Sequence, residues 1–395
     1  MTSVLRNHRK FLLVTSYTLP DTSGSGIHAF RFARFINKQG DKASLLTFNR
    51  NCRFPAKETI ENVTVFRIPY FNKGIIMKLL SLPIVIFYFI LYVLKTECVF
   101  IYGGKIFAWQ LLTIISGIFR EKIVFQSLLE GVDDLNSIIL SKTKIYQVLY
   151  KVLLKKVHVY YSLNRSFTHQ YFEIFRNKER LLTVPQGVDT SEFHPLPAKS
   201  KLELRQRLNL PHDIPLILAV GFLIRRKGYN EIFTQLVKLD FDFRFIVLGE
   251  YDLNSNHFLI KHQSEMDEIY ELGKNLLGNK IIFTGFKENV SEYLQCSEYF
   301  LMNSIQEGLP NALLEAMASG VPVITRNLKG INDYITLHGQ NAMVYDHPDE
   351  IPGMIRFLHE NPKERDRIAE NALKDTRKKF SFKAVYPQLL KKLFS

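Results

Sequence analysis

Short β-branched runs alternate with helix-compatible segments almost throughout this chain, and that alternation restricts the fold more than any other feature. In the second half the runs are PLILAV (215–220), RFIVLG (244–249), KIIFTG (280–285), YFLMN (299–303) and VPVIT (321–325). The first half repeats the pattern more loosely, with FLLVTS (11–16), KASLLTF (42–48), VTVFRI (63–68), CVFIY (98–102), KIVFQS (122–127), VHVYYS (157–162) and LLTVP (181–185). Strands joined through helices must be parallel, and a parallel sheet is covered on both faces, so its strands read as unbroken apolar runs. A chain of 395 residues is too long for one ordinary core. The sequence therefore predicts an α/β protein of two doubly wound, Rossmann-like domains.

The break between them is PQGVDTSEFHPLP (185–197), with three prolines, a glycine and several turn-forming polar residues. It predicts a first domain over 1–185 and a second over 186–382. The closing segment, about 383–395, has Leu389, Leu390, Leu393 and Phe394 at helical spacing, with Pro387 in its first turns. It is expected to be a helix that can pack back on the first domain. Open α/β sheets bind ligands at the carboxyl ends of their strands, and two such sheets facing each other would form an interdomain cleft.

Charge is distributed unevenly. The chain carries a formal +14; residues 1–190 hold 26 Lys and Arg against 12 Asp and Glu, and residues 191–395 hold 26 of each. A basic half-protein points to a polyanionic partner: nucleic acid, anionic lipid or a phosphate-bearing ligand. No nucleic-acid recognition motif accompanies the charge, so that partner ranks last. The same half contains an uncharged run from Leu79 to Leu94, interrupted near its start by Pro83. As a helix it would reach ~24 Å at ~1.5 Å per residue, short of the ~30 Å hydrocarbon core. Taken alone it reads as a helix buried against a sheet; the neighbouring basic residues bring an interfacial segment bedded in a bilayer level with that reading, because each contributes about 1 kcal/mol near an anionic leaflet. The N-terminal basic residues and the short apolar run after them read as a first strand rather than a secretory leader. Cys52, Cys98 and Cys296 are odd in number and widely separated, which argues against a disulfide framework or structural zinc and fits a reducing compartment.

The most informative stretch is QEGLPNALLEAMASGVPVIT (306–325). YFLMN is read as a strand, SIQEGLP as a loop, and a helix from about Asn311 to Ser319 ends at Gly320. Pro310 suits a first helical turn, and Leu313, Leu314 and Met317 face the core. Free N–H groups at such a helix start bind phosphate. Glu307 lies before the helix and Glu315 about one turn inside it. Carboxylates repel phosphate but accept strongly from hydroxyls, at about 1.5–3 kcal/mol each. A ligand with phosphate in the middle and a polyol at each end fits, and a nucleotide-sugar is such a ligand. The plainer alternative is that Glu315 complements the helix dipole and Glu307 is solvated.

EGLPNALLEAMASGVPVI resembles the E-x7-E signature of retaining glycosyltransferases of the GT-B fold, the glycosyltransferase group 1 (family 4) type. VPQGVDTSEFHP is similar to that family's linker motif, with Gln186 where Asn is usual. VGFLIRRKGYNEI (220–232) resembles its phosphate loop: Lys227 stands at the family's lysine position, but Phe222 occupies the place of an arginine, which Arg225 or Arg226 would have to replace. The loop PDTSGSGIHAF (20–30) carries Gly24 and Gly26 where the family has a glycine-rich turn. FQSLLEGVDDLNS (125–137) puts Glu130 where many members have a histidine, with Asp133 and Asp134 near the cleft.

The resemblance implies a metal-independent hexosyltransferase whose second domain holds a nucleoside diphosphate sugar, UDP-sugar favoured, without a further cofactor. Glu315 would bind the ribose, and Glu307 the transferred sugar. Arg226, Lys227 and the backbone of Gly308, Leu309, Pro310, Asn311 and Ala312 would receive the diphosphate, while Gly24 and Gly26 close the site from the other domain. Glu307, Lys227 and Glu130 are the candidate catalytic residues. The first domain would hold a lipid-linked or oligosaccharide acceptor at the cytoplasmic face of the membrane, as in capsule, O-antigen or exopolysaccharide assembly. Two other classes share the fold: a non-catalytic partner-binding subunit, kept open by Phe222 and Glu130, and a nucleotide-sugar epimerase or hydrolase. Asp240-Phe241-Asp242 spells a DxD, which in another glycosyltransferase fold holds a divalent metal; here it directly precedes a strand and reads as a turn. The eleven histidines show no HExxH or comparable cluster, and no metal site is expected.

Overall fold

A computed structural model describes residues 8–20, 23–50, 53–70, 74–103, 109–140, 142–253, 257 and 259–395. Cys52, the first seven residues and Asp21 and Thr22 of the glycine loop lie outside them. The chain forms two compact units, Met1–Pro185 with Tyr386–Ser395, and Gln186–Val385.

The first unit runs β1 (Lys10–Val14), α1 (Gly24–Lys38), β2 (Lys42–Arg50), β3 (Lys57–Ile60), β4 (Val63–Tyr70), α2 (Gly74–Val93), β5 (Cys98–Tyr102), α3 (Trp109–Ile118), β6 (Lys122–Gln126), α4 (Lys144–Leu154), β7 (Val159–Ser162), α5 (Arg165–Phe175) and β8 (Leu181–Thr183). Its sheet order is β3-β4-β2-β1-β5-β6-β7-β8. Every pair is parallel except β3 with β4. Leu12, Val14, Val99, Ile101, Ile123 and Phe125 line one face and pack under α2, α3 and α4. On the other face Tyr386 sets its ring edge-on to Phe11, Phe32 and Phe35 at centroid distances of 6.1, 5.9 and 5.9 Å, and its hydroxyl donates to Asp41 Oδ2 at 2.6 Å.

All of the 79–94 run but Leu94 falls within α2, and it matches neither pure expectation. Val85, Phe89 and Val93 are buried on the sheet, whereas Leu80 and Phe87 are exposed. Pro83 lies inside the helix. Among the described residues no helix is long and apolar enough to cross a membrane.

The second unit contains α6 (Ala198–Arg207), β9 (Leu216–Val220), α7 (Tyr229–Leu236), β10 (Arg244–Leu248), α8 (Gln263–Leu277), β11 (Ile281–Gly285), α9 (Val290–Gln295), β12 (Tyr299–Met302), α10 (Asn311–Ala318), β13 (Val323–Arg326), β14 (Met343–Tyr345), α11 (Ile351–Glu360) and α12 (Pro362–Asp375). The last helix, α13 (Phe382–Phe394), begins here and ends in the first unit. The sheet is wholly parallel in the order β11-β10-β9-β12-β13-β14. The strand order reverses between β9 and β12, so the loops leaving their carboxyl ends diverge around a crevice, the usual ligand position in an open α/β sheet.

Candidate functional site

The loop after β9 is tightly built. Gly221 has φ +144°, and a Cβ there would come 2.9 Å from Lys227 Cε. Its carbonyl accepts from the Tyr229 hydroxyl at 2.8 Å. Arg225–Lys227 form one 3-10 turn that ends at Gly228 in the left-handed region, φ +67°. A Cβ on Gly228 would meet the Asn303 carbonyl and side-chain amide, both at 2.4 Å. The two loops are stitched together at that point: Asn303 Nδ2 donates to the Gly228 carbonyl at 2.9 Å, and the Ile305 N–H donates to the Arg226 carbonyl at 2.8 Å.

This seam brings Lys227 to Glu307. Lys227 Nζ donates to Glu307 Oε1 at 2.6 Å, and an Arg226 guanidinium nitrogen reaches the same oxygen at 3.1 Å. Arg226 also donates to the Gln306 carbonyl at 3.1 Å. Glu307 is 8% exposed, so the solvated-loop alternative does not hold. Burial opposes its ionisation, but the charges of Lys227 and Arg226 outweigh burial and hold its carboxyl below the usual range. For Lys227 burial is the larger influence and lowers its pKa despite Glu307. Arg225 turns the other way, to Glu268 at 3.1 Å, and is largely exposed. Of the two arginines considered as substitutes for the one absent at Phe222, Arg226 is therefore the one at Glu307. The Phe222 ring lies 5.8 Å from that of His257.

Gly308, Leu309 and Pro310 are buried, and Asn311 and Ala312 are half-buried at the start of α10. Pro310 is the N-cap, with extended backbone, rather than a residue of the first turn. Leu313, Leu314 and Met317 are fully buried as expected, and Gly320 ends the segment at φ +71°. Glu315, the fifth residue of α10, is 8% exposed. Gln186 contributes a contact that its sequence position did not disclose: its amide donates to the Leu309 carbonyl at 3.2 Å and to Asn311 Oδ1. The linker thus braces the approach to α10.

In the first unit, Gly24 opens α1, and Ser23 caps that helix by accepting from the Gly26 N–H at 3.1 Å. A Cβ on Gly26 would come 2.0 Å from the Tyr17 carbonyl, so this glycine permits a close backbone crossing. Glu130 accepts from the Ser166 hydroxyl. Asp133 and Asp134 are buried supports of their turn, not a solvated acidic loop: Asp133 accepts from the Leu128 and Leu129 N–H groups at 2.9 and 2.8 Å, and Asp134 from the N–H and hydroxyl of Ser137 at 3.0 and 2.9 Å. Two residues passed over in the sequence stand at the carboxyl ends of adjacent strands here. The Tyr102 hydroxyl and the Gln126 amide are buried with no hydrogen-bond partner among the described residues.

Asp240 pairs with Arg356 at 3.0 Å and Asp242 with Arg244 at 3.1 Å, in the loop before β10. Among the described residues no three His, Cys, Asp or Glu side chains gather where they could hold a metal.

Residues 200–375 match the family described as Glycosyl transferases group 1. Over 193 residues the chain is 26% identical to the lipopolysaccharide core biosynthesis glycosyltransferase LpsE of Rhizobium meliloti, covering 47% of this chain and 52% of that protein. Over 166 residues it is 26% identical to a UDP-Gal:alpha-D-GlcNAc-diphosphoundecaprenol alpha-1,3-galactosyltransferase of Escherichia coli, covering 40% of each. The chain therefore spans about half the length of the curated relatives it matches. Among solved structures it resembles sucrose-phosphate synthase from Thermosynechococcus elongatus, with a TM-score of 0.76 at 17% identity over 98% of this chain and 99% of that one. It also resembles Anabaena HepE in complex with UDP and glucose, with a TM-score of 0.74 at 16% identity over 98% and 99%. The two doubly wound units thus have the GT-B architecture, and the second unit carries the match to the group 1 glycosyl transferases.

Proposed function

We propose that the protein is a retaining hexosyltransferase that moves a sugar from a nucleoside diphosphate sugar, UDP-sugar favoured, to an acceptor hydroxyl. The observation that carries this reading is the meeting of Lys227, Arg226 and Glu307 at the β9/β12 switch point, beside the start of α10. Two cations and the N–H groups around Gly308–Ala312 form a receptor for a leaving diphosphate. Stabilising that charge as it develops is the largest catalytic contribution expected here. Because side chains supply this positive charge, the reaction is read as metal-independent. Glu307 holds hydroxyls of the transferred sugar and Glu315 those of the ribose. Glu130, fixed by Ser166, is assigned to the acceptor side.

The acceptor is proposed to be a lipid-linked or growing glycan of a bacterial surface polysaccharide, reached at the cytoplasmic face of the membrane. The names of the lipopolysaccharide and diphosphoundecaprenol relatives support this class. The test is UDP release from a panel of UDP-sugars with and without acceptor, using Glu307→Ala as control. Release that depends on acceptor and is lost in the variant supports the proposal. Donor binding without turnover would instead indicate a partner-binding subunit, and turnover indifferent to acceptor a hydrolase or epimerase.

A further inference from the structure

Helix α4 is apolar on two faces. Leu153 and Leu154 turn inward to the core. Ile145, Val148, Leu149 and Val152 follow the i, i+3, i+4, i+7 spacing of a single stripe, and that stripe points outward, with Ile145 81% and Val148 63% exposed. Its neighbours continue the surface. Helix α3 packs against both α2 and α4, and it exposes Ile118, while α2 exposes Phe87. Three adjacent helices of one sheet face thus present large aliphatic and aromatic side chains together, a patch of the kind that marks a contact surface.

The charges around it are of one sign. Lys142, Lys144, Lys155 and Lys156 are exposed at the two ends of α4, and Lys151 is half-exposed along it. No acidic residue occurs between Asp134 and Glu173. An apolar stripe flanked by lysines has the composition of a helix lying in a membrane interface, its apolar side chains in the acyl boundary and its ammonium groups at the headgroups. A second copy of the chain fits less well, since a two-fold contact would set these lysines against their own counterparts.

We propose that α4, with the adjoining outer faces of α3 and α2, is the surface by which this protein docks on an anionic lipid bilayer. The proposal rests on the lipid-linked acceptor read above for its purpose, and it places the contact on α4, a helix that the apolar run of α2 had overshadowed. Lysines attract the protein to the leaflet; Ile145 and Val148 then anchor it.

The experiment is co-sedimentation of the full chain with vesicles of phosphatidylglycerol and phosphatidylethanolamine, and with vesicles of phosphatidylcholine alone. Wild type should bind the anionic vesicles at least tenfold more tightly. The double variant Ile145→Asp, Val148→Asp and the quadruple charge reversal of Lys142, Lys144, Lys155 and Lys156 to Glu should each lose at least tenfold of that binding. UDP binding by calorimetry should stay within twofold of wild type, which establishes that the variants are folded. Equal vesicle binding by wild type and folded variants would overturn the proposal, as would a stable dimer in light scattering that the Asp variant abolishes. Loss of vesicle binding with turnover on a soluble acceptor retained leaves the enzymatic reading standing, whereas vesicle binding without any sugar transfer removes that reading and not the docking surface.

Discussion

Glu307 Oε1 lies 2.6 Å from Lys227 Nζ, and the same oxygen is 3.1 Å from Arg226, so one carboxylate serves as counter-ion to both cations assigned to the diphosphate. A diphosphate arriving there competes with that carboxylate. Removing the negative charge by Glu307→Gln should therefore tighten binding of UDP alone, by about tenfold if about 1.4 kcal/mol of repulsion is relieved. The same change should abolish sugar transfer. Calorimetry with UDP set beside a transfer assay checks both halves; weaker UDP binding in the variant would show that Glu307 organises the cations more than it opposes the anion.

The same pair makes stability depend on pH. Glu307 titrates below its unfolded value because Lys227 and Arg226 overcome its burial. Its contribution is fully present above the unfolded value of about 4.3 and is lost as pH falls through the lower folded value. Removing one partner of a buried pair costs about 3 kcal/mol. Chemical denaturation of the second unit's transition should show Glu307→Gln destabilised by about that amount at pH 7, with the gap closing only below about pH 4.

Glu315 should behave differently. It is buried one turn inside α10 and is assigned to the ribose, which every UDP-sugar shares. Loss of a charge-assisted hydrogen bond of about 1.5–3 kcal/mol predicts that Glu315→Gln weakens UDP and all UDP-sugars alike by about tenfold or more. The effect of Glu307→Gln should vary with the sugar offered. A Glu315 variant whose defect depended on the sugar would exchange the two assignments.

Both units were legible in the sequence chiefly through strands buried on both faces, such as LILAV of β9 and VIT of β13, because burial on two sides demands unbroken apolar runs. The edge strand β3 was not, since KETI alternates exposed and half-buried residues and pairs antiparallel with β4. β14 is only three residues long. Lys227 and Glu307 were each visible as loop residues, but their ion pair spans 80 positions and exists only because the strand order brings β9 beside β12. Gln186 stood out as a departure from the family's linker, yet its reach to Leu309 crosses 123 positions. The outward stripe of α4 was hidden for another reason: its inward face is apolar too, so the spacing does not tell which of its apolar residues the core takes.

Gln186→Leu tests the brace on α10. The leucine fills similar space but leaves the Leu309 carbonyl without its donor in a buried setting. An unsatisfied buried acceptor costs about 1–3 kcal/mol, and the approach to the turn proposed to bind phosphate loosens with it. The variant should melt lower and lose about tenfold in kcat/KM for the donor. Gln186→Asn, the family's usual residue, should recover part of both, because a side chain one methylene shorter retains the amide but reaches one acceptor less readily.

Gly228→Ala isolates the seam between the loops that follow β9 and β12. Its φ of +67° already disfavours an L side chain, and an added Cβ would lie 2.4 Å from the Asn303 carbonyl, which is backbone and cannot swing aside. Gly339 offers the comparison: φ is +68°, but nothing lies within 4 Å of the added carbon. Gly339→Ala should cost only the conformational strain, about 1 kcal/mol. Gly228→Ala should cost clearly more, about 3 kcal/mol or above, since overpacking adds to strain. It should also weaken UDP binding, because separating the loops moves Lys227 and Arg226 away from the N–H groups at the start of α10 with which they are proposed to share the diphosphate. Thermal melts of the two variants with and without UDP decide it: equal destabilisation would mean that the loops yield at no cost, and the close contact at Asn303 would then play no part in setting the site.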